Sequence, residues 1–160
     1  MEKKIEKLHK EIDYACIEIK MFEEEYTFLL SEIDRFQAMK LAASTKNIIQ
    51  DPEVQKILGK KLIKEAADGV NKTLGELAVD KKWWISSFHK TSDKIASLHQ
   101  KQISRYKRMQ HIIASIKDGE YGIPSFEKDS MIYAIDDSIK THETIITFYL
   151  KTKNSFDKSF

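Results

Sequence analysis

Disulfides, frequent turns and membrane-length apolar runs are all missing from this 160-residue chain. Its single cysteine, Cys16, allows no internal bridge and fits a reducing compartment. Five glycines and two prolines are too few for a sandwich or barrel, whose many connections each need turn residues. No stretch approaches ~18 uncharged apolar residues, so no transmembrane helix is expected. Met1-Glu2-Lys3-Lys4 runs straight into charged heptads without the apolar segment of a secretion signal. The expected location is therefore the cytoplasm, with export by a route that uses no cleaved signal left open. A formal net charge of +2 gives the chain as a whole no strong pull toward polyanions.

Recognisable catalytic patterns are also missing. No Ser/His/Asp or Cys/His arrangement has a familiar spacing, and no glycine-rich loop could cradle a phosphate. Di-iron bundles need a Glu-x-x-His pair on each of two helices, and only Glu6-Lys7-Leu8-His9 matches. One match in a glutamate-rich chain is expected by chance. The sequence thus implies no enzyme, no metal, no cofactor and no small-molecule substrate.

What the chain has is periodicity. Ile5, Leu8, Ile12, Ala15, Ile19, Phe22, Tyr26, Leu29, Ile33 and Phe36 follow steps of three and four without a miss. That spacing keeps one seam of a helix facing a partner over many turns. About 35–40 such residues make a rod roughly 50–60 Å long, which cannot bury its seam alone. A fourth predicted helix repeats the pattern through Ile132, Ile135, Ile139, His142, Ile146, Tyr149, Lys153, Phe156 and Phe160. Its Lys153 suggests that ordered packing ends near Tyr149. The fold expected is all-α, an elongated antiparallel four-helix bundle with coiled-coil-like heptad packing in a single domain, 1–160.

Its helices are expected at about 2–45, 52–79, 82–118 and 125–155. Asp51-Pro52-Glu53 is a restart signal: an N-cap, a proline in the first turn and an acid beside it. The second segment holds Gly59, Gly69 and Gly75, each costing up to ~1 kcal/mol against alanine, and a kink or break is expected near Asp68-Gly69. Gly119 is the expected left-handed stop of the third helix, and Ser125 the expected cap of the fourth. Cys16, beside Ala15, reads as a small buried thiol. His142 reads as a hydrogen-bonded register device among isoleucines, and the other histidines carry no pattern.

Charge is unevenly spread. Residues 81–119 carry nine Lys and Arg against two acids, whereas 1–41 and 120–160 are net acidic. Lys90, Lys94, Lys101 and Arg108 share one stripe of the third predicted helix, with Arg105 at its inner edge. The structural reading is that this stripe lies along acidic flanks of neighbouring helices, with Glu23-Glu24-Glu25 and Asp136-Asp137 as candidate partners; the functional alternatives are an acidic protein partner or an anionic polymer. Trp83 and Trp84 point ~100° apart on a helix, so Trp84 continues to Phe88 in the core and Trp83 is left outside it. The functional reading is a non-enzymatic interaction module, an adaptor, regulator or chaperone-like protein. Its expected contacts are Trp83, Lys90, Lys94, Lys101, Arg105 and Arg108. The unmatched end of the first helix is left to a second copy of the chain or to a partner helix. The competing reading is a peripheral binder of anionic membrane or nucleic acid through the same basic helix.

Overall fold

The computed structural model describes residues 2–32, 41–42, 44–117 and 119–159, with only the backbone of Leu77 and 157–159 described. Among the described residues the chain is all-α, without a strand. Helix α1 spans Glu2–Ser31, α2 Pro52–Leu58, α3 Lys60–Ala114 and α4 Ser125–Ser159. Residues 44–49 are also helical. The end of α1 at Ser31 falls short of the expected 45, while Ile33 and Phe36 of the seam lie outside the described residues.

Asp51 caps α2 as its sequence implies, its carboxylate accepting from the Glu53 amide at 2.9 Å with Pro52 in the first turn. No break occurs at Gly69, which lies within a helix. The chain breaks at Gly59, whose φ of 80° few side-chain-bearing residues adopt, and then runs unbroken for 55 residues. The predicted second and third helices are thus mostly one. Gly69 and Gly75 lie inside it because a helix end strands four amides and four carbonyls, a larger cost than two weak helix formers. Gly119 takes the left-handed conformation, at φ 79°, but α3 already ends at Ala114, so Gly119 opens the short turn Glu120–Gly122 and does not stop the helix. The fourth helix opens differently from expectation: the Pro124 carbonyl accepts from the amides of Glu127 and Lys128, so Ser125 is already helical.

The chain divides into two compact units, residues 1–26 with 89–160, and residues 27–88. In the first, three helical segments pack together. Contacts from Phe22 to Lys94 and from Ile12 to Gln102 run in opposite chain directions, so α1 is antiparallel to α3. Lys153 with Asp93 and Ile132 with Gln110 set α4 antiparallel to α3 in the same way. The core joins Leu8 and Ile12 of α1, Ile103, Met109 and Ile113 of α3, and Ile135 and Ile139 of α4. Every described seam position of α1 from Leu8 to Leu29 is buried except the half-buried Phe22. Packing along α4 reaches past Tyr149: this ring meets Tyr26 edge to face at 5.0 Å, and Lys153 bonds Asp93 at 2.7 Å. Lys153 therefore marks no end to the packing, because its ammonium finds a carboxylate instead of apolar surface.

In the second unit, Trp84 is 1% exposed and stacks on Phe88 with ring centroids 5.1 Å apart. Its indole N–H donates to the Leu29 carbonyl at 2.7 Å, and the Glu32 amide reaches the same oxygen at 3.3 Å. The final turn of α1 leaves carbonyls without helical donors, and this indole supplies one. Trp84→Phe keeps a ring in place but removes the donor. It should cost roughly 1–3 kcal/mol. Urea unfolding with an unchanged m-value reads that loss, and a change within error would show that the indole acts through packing alone.

Candidate functional site

All six predicted contact residues lie on α3, but the structure separates their roles. Trp83 belongs to the second unit, where it is 62% exposed. The other five belong to the first. Lys94 is half-buried with its ammonium 5.8 Å from the centre of the Phe22 ring, a cation–π contact within its own unit. Arg105 is turned inward. Its guanidinium donates to Gln102 Oε1 at 2.9 Å, and its Nε lies 3.8 Å from a Glu11 carboxylate oxygen. Both side chains thus have partners within the first unit. Lys90, Lys101 and Arg108 are exposed and make no ion pair among the described residues. The expected pairing with Asp136 is also corrected, since Asp136 bonds Lys140 one turn along its own helix at 3.1 Å.

Two polar insertions in the core lie inside this surface. Gln102 is fully buried and donates to the Ile12 carbonyl of α1 at 3.0 Å, while its Oε1 takes the Arg105 bond. Gln102 is thus the first link of a chain running from the α1 backbone through Arg105 to Glu11. Cys16 Sγ lies 3.5 Å from the same amide nitrogen, yet the cysteine is exposed, which corrects the expected buried thiol.

The second insertion joins His99 of α3 to His142 of α4, Nδ1 to Nδ1 at 2.7 Å. At that separation one imidazole must donate and the other accept. His99 Nε2 is buried without a partner among the described residues. A stranded N–H costs more than a stranded lone pair, so His99 carries its proton on Nδ1 and donates to His142. Burial and the neighbouring His142 hold the His99 pKa down at about 4, and burial also lowers that of His142. Tyr106 flanks the pair, its ring centroid 5.6 Å from that of His142. The register role expected of His142 requires this partner, which the heptad reading missed. His99 follows Leu98 and falls outside the three-four stride. It is buried because α3 has α1 on one side and α4 on the other, so positions on a second arc are covered too.

Among the described residues no three His, Cys, Asp or Glu side chains are grouped to hold a metal ion, and no helix is long and apolar enough to cross a membrane. No protein-family model matches the chain, and no curated protein or solved structure matches it either.

The histidine pair sets a pH dependence. Unfolded imidazoles take a proton near 6.5, whereas His99 in the fold resists until about 4. The native state then binds fewer protons in between, so stability is fully present above pH 6.5 and falls as pH drops toward 4, by roughly 3 kcal/mol from His99. Urea unfolding at intervals from pH 7.5 to 4.5 should show this fall. His99→Leu should flatten it, and an identical slope in that variant would remove the pair as its cause.

Proposed function

We propose that the protein is a non-enzymatic helical interaction module whose first unit binds an acidic surface of a protein partner through the outer face of α3. One observation carries the reading: Lys90, Lys101 and Arg108 stand on one stripe, exposed and without ion pairs among the described residues. Spacings of eleven and seven residues return to nearly the same side of an α-helix, so the three charges face one direction. Cations with no partner in the fold contribute little to its stability, and they raise the rate and selectivity of encounter with an acidic surface. Trp83 gives the second unit an exposed aromatic of the kind that anchors protein interfaces. Lys94 and Arg105, already engaged by Phe22 and by Gln102 and Glu11, contribute less free charge to this face. The cytoplasm is the compartment that suits such an adaptor or regulator with a single, exposed cysteine.

The double variant Lys90→Glu with Lys101→Glu tests the reading. Its circular dichroism should match that of the parent and its unfolding free energy should stay within about 0.5 kcal/mol, because exposed charges change stability little. Affinity purification from the native cell should recover acidic proteins with the parent chain and lose them with the variant. Unfolding of the variant, or an unchanged set of captured proteins, would end the proposal. Capture of nucleic acid or anionic vesicles instead, with affinity falling steeply as salt rises, would favour direct binding of phosphate polymers.

A further inference from the structure

A cavity of about 420 Å³ opens in the first unit between the early turns of α1 and the late turns of α3. Lys4 and Lys7 line it from α1, and Lys107 and Arg108 line it from α3. None of these four cations makes an ion pair or hydrogen bond among the described residues. The acid in the lining, Glu11, has Arg105 at 3.8 Å, so its charge is already partly answered from outside the cavity. His111 adds a ring nitrogen to the same wall.

Four unpaired cations around one concavity repel one another, and a structural role would call for acids between them. An anion from solution relieves that repulsion. The lining also indicates which kind of anion. Leu8, only 6% exposed, and the half-buried Ile112 also line the cavity, so an apolar anchor from a peptide would meet two partly covered side chains. Several charges held close together gain far more. Lysine ammoniums act as point charges on phosphate and the Arg108 guanidinium as a two-pronged donor, a mixture suited to a phosphate cluster. The volume lies within the 300–1,000 Å³ range typical of small-ligand pockets.

We propose that this cavity binds a compact polyphosphate group carrying three or more negative charges, held by Lys4, Lys7, Lys107 and Arg108. What a nucleoside triphosphate, an inositol polyphosphate and a phosphoinositide headgroup share is this dense phosphate charge, carried on a phosphoanhydride chain in the first and on neighbouring phosphate monoesters of a ring in the other two. Its binding surface is distinct from the Lys90 and Lys101 positions that test the protein-partner reading.

Titration calorimetry of the full chain with sodium tripolyphosphate at 100 mM salt tests the proposal. The parent chain binds, its thermal midpoint rises with ligand concentration, and log affinity falls linearly with log salt. The variant Lys4→Ala, Lys7→Ala, Lys107→Ala binds at least tenfold more weakly, while its unliganded midpoint equals or exceeds that of the parent. Lys7→Ala alone carries the same test at a several-fold loss if the triple variant folds poorly. Lys90→Glu with Lys101→Glu retains tripolyphosphate binding, so failure of either proposal leaves the other readable. Competition by ATP, by inositol hexakisphosphate, or by vesicles with phosphatidylinositol bisphosphate set against plain phosphatidylcholine vesicles then assigns the source of the group. Absence of heat and of any midpoint shift at millimolar tripolyphosphate overturns the proposal, as does equal affinity in the alanine variants. A poly-glutamate peptide that binds where tripolyphosphate does not overturns it in favour of an acidic protein segment.

Discussion

Burial of α3 on two sides organises the first unit. Ile103, Met109 and Ile113 stand between Leu8 and Ile12 of α1 and Ile135 and Ile139 of α4, and together they form its apolar core. Each such side chain removed from water is worth roughly 1.5–3 kcal/mol, the largest favourable term available to a chain without disulfides or an identified metal site. A helix placed between two others must be covered over a wider arc than a two-stranded seam requires. Ser92, Ala96, His99 and Ile103 are accordingly buried beside Thr91, Ile95, Leu98 and Gln102. The polar members of that double row are possible only because each neighbouring helix brings something to meet them.

Those meetings govern register. Hydrophobic contacts between helices tolerate sliding, since one isoleucine packs against another nearly as well a turn away. A buried amide or imidazole does not, because a slip would leave it without its partner in a low-dielectric interior. Gln102 bonded to the Ile12 carbonyl pins α3 against α1, and His99 bonded to His142 pins it against α4. The two bonds lie three residues apart on α3 and face different neighbours. Both sides of the central helix are thereby held at one level.

With its inner arcs occupied, the part of α3 in the first unit keeps its outer arc and its flank against the start of α1 for recognition. Positive charge collects in both places. Some of it is spent inside the unit, as Lys94 on Phe22 and Arg105 on Gln102 show. The remainder divides into an exposed stripe that suits a broad acidic surface and a concavity that suits a small, dense anion. Arg108 belongs to both. The chemistry follows from where the packing leaves cations unanswered, which composition alone, with a net charge of +2, does not reveal.

The all-α fold, the α1 seam from Leu8 to Leu29, the burial of Trp84 against Phe88 and the cap at Asp51 were legible in the sequence, because each depends on neighbours within a turn or two or on unbroken periodicity. The continuity of α3 across Gly69 was not, since local propensity is weaker than the cost of ending a helix. The contact of Arg105 with Glu11, the histidine pair and the cavity shared by Lys4, Lys7, Lys107 and Arg108 were decided by tertiary structure alone. Each joins residues at least 43 positions apart or depends on which side of α3 a second helix covers, and a one-dimensional repeat records only that a face is apolar, not what lies across from it.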